Sequence, residues 1–335
     1  MKTTITIDTP EDVRLKTTCL CWKRAKDMPS HLRVQQSRCA SSETGKTLWY
    51  TALFPPATTE LRGVVLFIHG INEHSERFFH VFEDLCAQSY GVLAYDLRSH
   101  GQSDMDVEGL RAHVEKFQSL IDDTNAFLSF AKREIYPEMG ISSPDALPLA
   151  VVGYSLGSLV ALHTVLSQVH TFKAIVLLAP AIALEWTLSL SIVSFFGGAL
   201  NQLVPTARIF PAVNDDWVCR DPLVGQDYDA DPLATNEVVT VRMGHQTLQF
   251  MRALETDERV EDPQSAFCRL PILSIMGSND KVTNLPRAQQ FHTRLANKDK
   301  TFVEVDGAYH VLLEDFERET VMQTLVDWLD GRMGT

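Results

Sequence analysis

A serine set between two glycines is the strongest chemical signal in this sequence. Gly153-Tyr154-Ser155-Leu156-Gly157 follows the apolar run 149–152 and opens the helix-length stretch 155–167. A serine on a tight strand-to-helix turn must take a strained backbone. Glycines on either side avoid the clashes that side chains there would cause. The turn lifts the hydroxyl off the sheet edge, and the helix behind it supplies N–H groups and the positive end of a dipole. This is the setting of an activated nucleophile.

A hydroxyl is a weak nucleophile without a base, and the base needs a carboxylate to orient it. In a strand–nucleophile–helix arrangement they follow in the order acid, then histidine. Five histidines follow Ser155: His163, His170, His245, His292 and His310. His163 and His170 lie on or just beyond the nucleophile helix, His245 in an insertion and His292 within a helix. His310 alone falls in a loop, Asp306-Gly307-Ala308-Tyr309-His310, after the run 301–305 and before the last helix. The acid should close the preceding strand. The run 272–276 leads into Gly277-Ser278-Asn279-Asp280, so Asp280 is the candidate, and Asp306 beside Gly307 reads as a turn residue. An oxyanion needs two N–H donors. One is that of Leu156, directly after the nucleophile. The other is expected from the loop after the first central strand, His69-Gly70-Ile71-Asn72, with Ile71 as donor. His69 precedes the nucleophile and reads as a buttress of that loop.

These residues need a scaffold, and the hydropathy pattern supplies one. Apolar runs of strand length (63–68, 91–95, 149–153, 174–179, 272–276, 301–305) alternate with helical stretches (78–88, 110–135, 155–167, 285–296, 314–329). Continuous apolar strands alternating with helices indicate an α/β fold, a mostly parallel sheet covered on both faces. Between 181 and 267 the alternation stops. Helical segments at 182–203 and 237–255 flank a Pro/Asp-rich loop, 205–232, and the whole reads as a cap over the strands' carboxyl ends. The expected organisation is an extension at 1–45, a core of 46–180 and 268–335, and a cap insertion at 181–267. Within the cap, fourteen of the 23 residues 182–204 are apolar and Glu185 is the one charge. Trp186, Leu188, Leu190, Ile192, Val193, Phe195 and Phe196 are too many for one buried stripe, which suits an interfacial element.

Composition narrows the possibilities. The 335 residues carry 30 Lys+Arg against 43 Asp+Glu, a net charge of −13, which opposes nucleic-acid binding. Residues 1–38 are the exception, with eight basic against four acidic side chains, read as a solvated extension. Six cysteines (19, 21, 39, 86, 219 and 268) form neither a disulfide framework nor a metal-ligand spacing, so reduced thiols in a cytoplasmic protein are expected. No signal-peptide pattern opens the chain, and no uninterrupted apolar run reaches membrane-spanning length.

Four motifs in order resemble the monoacylglycerol lipases and related lysophospholipases of the α/β-hydrolase fold. The segment from His69 to Phe78 (HGINEHSERF) is similar to that family's HGxxEHSxRY signature, and 95–104 (YDLRSHGQSD) to YDxRGHGxSD. Asp280 in GSND, His310 in GAYHVLLED and Asp231-Pro232-Leu233 in the cap have similar counterparts. The resemblance covers about 45–330. It implies a serine carboxylester hydrolase that cleaves monoacylglycerol through an acyl-enzyme, with no metal or cofactor. It also implies a polar headgroup held by Glu73 and Arg77, or else those two paired to brace the oxyanion loop. Lysophospholipase, other carboxylesterase, acyltransferase and proline-type serine peptidase are the alternatives, with a non-catalytic ligand-binding protein as a further class. Peripheral membrane contact through the cap, and the oligomeric state, are left open. Ser99 stands where the family usually has glycine, and Tyr154 where it usually has histidine.

Overall fold

The computed structural model describes residues 2–5, 28–143, 145, 147–184, 188–209 and 218–333, with the backbone alone at 2–5 and 188–195. Nine strands run through the described chain: β1 (Lys2–Ile5), β2 (Arg33–Ala40), β3 (Thr47–Phe54), β4 (Gly63–Ile68), β5 (Tyr90–Tyr95), β6 (Leu149–Tyr154), β7 (Ala174–Leu178), β8 (Ile272–Gly277) and β9 (Lys300–Val305). The principal helices are α1 (Phe79–Ala87), α2 (Gln118–Phe130), α3 (Leu156–Ser167), α4 (Leu188–Leu203), α5 (Pro222–Ala230), α6 (Val241–Glu255), α7 (Leu285–Arg294) and α8 (Arg318–Met333). The strands form one sheet in the order β1-β9-β8-β7-β6-β4-β5-β3-β2. Pairing is parallel from β1 to β5 across the sheet and antiparallel at the β5–β3 and β3–β2 edges.

The sheet is apolar on both faces because successive strand side chains point opposite ways. In β4, Val64, Leu66 and Ile68 join one cluster, with Leu120 and Phe127 of α2 and Leu159 of α3. Val65 and Phe67 join the other, with Phe82 of α1 and Leu325 of α8. Each such side chain contributes about 1.5–3 kcal/mol when fully buried. The expected α/β-hydrolase architecture, with helices on both faces, is what forms.

Several boundaries differ from the sequence reading. Lys2–Ile5 pairs with β9 and Arg33–Ala40 pairs along its whole length with Thr47–Phe54, so two strands of the sheet lie inside the stretch expected to be an extension. The helix expected from 110 starts at Gln118, because Ala112 takes a positive φ of 56° and the Phe117 N–H is taken by the Gln246 side chain of α6. The last helix starts at Arg318 rather than 314, since Glu314 and Asp315 are committed to Arg77 and Arg220. The loop expected at 205–232 contains α5. Asp221 caps it by accepting the Leu223 N–H, and Pro222 sits in the first turn, where its missing N–H costs nothing.

The apolar cap stretch divides. Ile182 is 3% exposed and packs into the core, whereas Phe196, Leu203 and Val204 are 53, 78 and 39% exposed. Glu185 and Trp186, like Cys19, Cys21 and most of the basic stretch 1–38, fall outside the described residues. Among the described residues no helix is long and apolar enough to cross a membrane.

Candidate active site

Parallel strands β4, β6, β8 and β9 all end at one edge of the sheet, and the loops leaving them carry the chemistry. Ser155 follows β6 with φ 50° and ψ −117°, a strained conformation that costs a non-glycine residue on the order of 1–3 kcal/mol. A Cβ on Gly153 would sit 2.5 Å from the Ser158 Cα, and one on Gly157 would sit 2.1 Å from the Ile68 carbonyl oxygen. The two glycines thus let the turn fold back on itself and against β4.

His310 lies in the loop after β9, and Asp280 in the loop after β8. The Ser155 Oγ is 2.9 Å from His310 Nε2, and His310 Nδ1 is 2.8 Å from Asp280 Oδ2. An ionised carboxylate only accepts, so Nδ1 carries the proton and Nε2 is left to accept the serine O–H. Asp280 also accepts from the Val282 and Thr283 N–H groups and the Thr283 hydroxyl. Burial pushes the Asp280 carboxyl up, but His310 and the Thr283 bonds more than offset this and hold it below the usual carboxylate range. Gly277 makes room for the His310 loop, since a Cβ there would lie 2.3 Å from the Ala308 carbonyl oxygen. Tyr154 supports the same loop: its hydroxyl donates to the His310 carbonyl at 3.3 Å and its ring stacks against the imidazole. Three of the four rival histidines are engaged elsewhere, His163 with the Phe250 carbonyl, His170 with the Asn125 carbonyl and His292 beside Ser274, and His245 lies within α6.

The loop after β4 packs against the nucleophile, so that a Cβ on Gly70 would lie 3.1 Å from the Ser155 Cβ. His69 uses both ring nitrogens there, donating from Nδ1 to the Gly70 carbonyl and accepting the Leu97 N–H at Nε2. Burial holds this imidazole well below its ordinary pKa. Ile71 lines the cavity in front of Ser155, and Leu156 opens α3, where N–H groups lack intrahelical partners.

That cavity has a volume of about 420 Å³ and is walled by Glu73, Tyr154 and Glu314 from the core side and by Cys219, Arg220 and Tyr228 from the cap side. A second hollow of about 430 Å³, beside Pro29, Leu32 and Cys86, shares no lining residue with this site. Glu73 accepts the Gly70 N–H. Burial, reinforced by Glu314, pushes its carboxyl up to about 8 against the pull of the Gly70 N–H and Arg77. Burial also raises the Glu314 carboxyl, opposed by Arg77.

Arg77, expected to share the headgroup with Glu73 or to pair with it, has its ion pairs with other carboxylates. Its guanidinium is buried behind the cavity wall and bonds Asp231 at 3.0 Å, Glu314 at 3.2 Å and Asp227 at 3.3 Å, under the Tyr228 ring. His74 Nε2 bonds the same Asp231 at 2.7 Å. Ser99 has φ 63°, a conformation suited to glycine, and its hydroxyl compensates by accepting the Asp106 N–H. Arg220 and Cys219 on the cavity wall carried no sequence signal, and Asp231-Pro232-Leu233, which did, does not line the cavity. Among the described residues no cluster of three or more His, Cys, Asp or Glu is placed to hold a metal.

A parallel sheet with a Ser–His–Asp chain at its strand ends defines a serine hydrolase of the α/β-hydrolase fold. Residues 59–318 match the family described as serine aminopeptidase, S33, and the chain belongs to that family. It is 28% identical over 291 residues to an uncharacterized abhydrolase domain-containing protein of Dictyostelium discoideum, covering 85% of this chain but only 27% of that protein. It is 26% identical over 271 residues to a monoacylglycerol lipase of Mycolicibacterium smegmatis, 81% of this chain and 89% of that one. Among solved structures, a soluble variant of monoglyceride lipase from Saccharomyces cerevisiae, in complex with a substrate analog, superimposes with a TM-score of 0.76. It has 19% identity over 90% of this chain and 96% of that one, a likeness of fold.

Proposed function

We propose that this chain hydrolyses monoacylglycerols to fatty acid and glycerol through an acyl-enzyme at Ser155. The observation that carries the reading is the hydrogen-bonded chain Ser155–His310–Asp280 on the floor of a cavity roofed by the cap. Ser155 Oγ attacks the ester carbonyl and its proton passes to His310 Nε2. The Ile71 and Leu156 N–H groups receive the oxyanion. His310 returns the proton to the leaving glycerol oxygen, and water, deprotonated by the same imidazole, releases the fatty acid. Asp280 stabilises the imidazolium without taking its proton. No step requires a cofactor.

Glu73 suits a glycerol headgroup. With a pKa of about 8 its carboxyl is uncharged near neutrality, so it can donate to a substrate hydroxyl while its other oxygen keeps the Gly70 N–H. The exposed apolar side chains of the cap support peripheral contact with lipid. Cys39, Cys86, Cys219 and Cys268, all without disulfides, support a cytoplasmic setting.

The test is a panel of monoacylglycerols, lysophospholipids, short p-nitrophenyl esters and aminoacyl p-nitroanilides against wild type and Ser155→Ala. The expected result is turnover of monoacylglycerols above the other classes, with kcat lost by a factor on the order of 10⁶ in the variant. A fluorophosphonate probe should label wild type and not Ser155→Ala. Turnover of the anilides alone would establish the peptidase instead.

A further inference from the structure

The loop that presents the Ile71 N–H is pinned from two directions. From within, the Glu73 carboxyl accepts the Gly70 N–H. From outside, three bonds arrive from the segment between β7 and β8. The Tyr228 hydroxyl donates to the Asn72 carbonyl oxygen at 2.6 Å, and the Thr235 N–H donates to the same oxygen at 2.9 Å. The Asn72 side-chain amide donates in turn to the Glu237 carbonyl at 3.2 Å. Asn72 has φ 68°, in the left-handed region that residues other than glycine seldom occupy, asparagine being among the most tolerant. A carbonyl oxygen has two lone pairs, and Asn72 uses both on the cap. Peptide units are planar, and the unit that carries the Ile71 N–H also carries the Gly70 C=O, which His69 Nδ1 holds. The unit fixed through the Gly70 N–H precedes it, and the unit fixed through the Asn72 C=O follows beyond the 71–72 unit, which is the one left to be set by the hold on Asn72.

We propose that Tyr228 is a positioning residue for the oxyanion hole: its hydroxyl, with the Thr235 N–H, holds the Asn72 carbonyl so that the Ile71 N–H aims at the developing oxyanion, and turnover therefore requires the cap seated on this loop. The inference rests on the ester-hydrolase reading above. The tyrosine is well placed for this. Its ring lies over the Arg77 guanidinium, 4.7 Å from ring centroid to guanidinium carbon, and Arg77 is itself fixed by Asp231 and Glu314. Burial raises the phenol's pKa well above its ordinary value, so it remains an O–H donor. The cap has other ties to the core, among them His74 to Asp231 and Gln246 to the Phe117 N–H. Loss of one hydroxyl should therefore leave the cap seated and release only the strained loop.

Tyr228→Phe tests this, since it keeps the ring on Arg77 and removes only the donor. Two readouts separate positioning from substrate contact. One is kcat and KM on a short soluble p-nitrophenyl ester. The other is the affinity for an alkyl trifluoromethyl ketone, which Ser155 Oγ attacks to give a hemiketal oxyanion while His310 takes the serine proton, compared with that for the corresponding unreactive alcohol. Deleting an oxyanion donor outright costs about 10²–10³ in kcat, so misaiming one should cost roughly 5- to 30-fold. The expected result is that loss in kcat with KM within about twofold, a matching loss of ketone affinity and unchanged alcohol affinity. Asn72→Gly permits the left-handed backbone but frees it, and removes the side-chain bond to Glu237 while leaving the Tyr228 bond in place; it should lose a few-fold in kcat and tests the hold of this segment on the loop if Tyr228→Phe does not fold. Wild-type kcat in both variants, a loss confined to KM, or a fall in kcat without loss of ketone affinity would overturn the inference. Wild-type protein that neither turns over esters nor reacts at Ser155 would instead overturn the hydrolase reading.

Discussion

Two carboxyl groups of the site are set apart by their neighbours. Asp280 faces an imidazole N–H and three further donors and is held ionised. Asp280→Asn would offer an amide to Nδ1, favour the wrong tautomer and lose on the order of 10⁴ in kcat with little change in KM, which steady-state kinetics on a soluble ester would measure. Glu73 has one N–H and a neighbouring carboxyl, and is held neutral. Its consequence is a pH-dependent cost. Below about 4.5 Glu73 is protonated folded and unfolded alike, and folding carries no penalty. As pH rises from there towards 8, the unfolded chain releases a proton that the folded one keeps, so stability falls, and above about 8 the loss is constant. At about 1.4 kcal/mol per pH unit the full effect is on the order of a few kcal/mol. Glu73→Gln keeps an acceptor for the Gly70 N–H and removes the titration. It should raise the melting temperature over wild type more at about pH 9 than at about pH 5; equal increments would show that Glu73 is not the buried acid described.

The elements matter here through their ends. β4, β6, β8 and β9 are neighbours or near neighbours in a parallel sheet, so residues far apart in sequence leave it at one edge. Close approach of the β8 and β9 loops depends on Gly277. Gly277→Ala would set a methyl against the Ala308 and Tyr309 carbonyls, both backbone atoms that cannot rotate away. The His310 loop would shift, kcat should fall about 10- to 100-fold, and stability should drop by about 1–3 kcal/mol. Kinetics and thermal melting would read the two effects, and an unchanged kcat would show that the loop has room to spare. This is also where sequence and structure compare most usefully. Ser155, Asp280 and His310 were legible because parallel topology fixes their order and each follows an apolar run. β2 was not. Its sequence, RVQQSRCA, is that of a half-exposed edge strand joined to β3 by a short turn, which a search for apolar strands separated by helices passes over. The start of α2 was illegible for another reason: Gln246, over a hundred residues away, takes the Phe117 N–H. Arg77 showed a motif but not a direction, since its partners Asp227, Asp231 and Glu314 come from two distant segments.

At the scale of the whole molecule, charge and apolar surface pull in different directions. A net charge of −13 repels anionic lipid, so any adsorption must come from apolar contact and depend little on salt. The exposed large apolar side chains are concentrated in the cap: Phe196, Leu203, Val204, Ile209 and Leu223 are all at least 39% exposed. The sequence read the whole stretch 182–204 as one greasy element; among its described side chains Phe196, Leu203 and Val204 at the far end carry this surface, while Ile182 is core. The proposed membrane contact therefore has a sharper test in Phe196→Ser combined with Leu203→Ser. Leu203 is mostly exposed and Phe196 about half exposed, so the double variant should melt within a few degrees of wild type, surface changes usually costing within about 0.5 kcal/mol each. Burying such side chains in a bilayer interface contributes up to about 1.5–3 kcal/mol apiece, and losing part of it should reduce vesicle binding and activity on vesicle-borne monoacylglycerol about tenfold or more. Turnover of a soluble short-chain ester should hold, because the chain Ser155–His310–Asp280 is untouched. Co-sedimentation with neutral phosphatidylcholine vesicles at low and high salt completes the measurement. Equal loss on both substrates with a collapse in melting temperature would make this end of α4 a packing element, and unchanged vesicle activity would remove the cap from the membrane altogether.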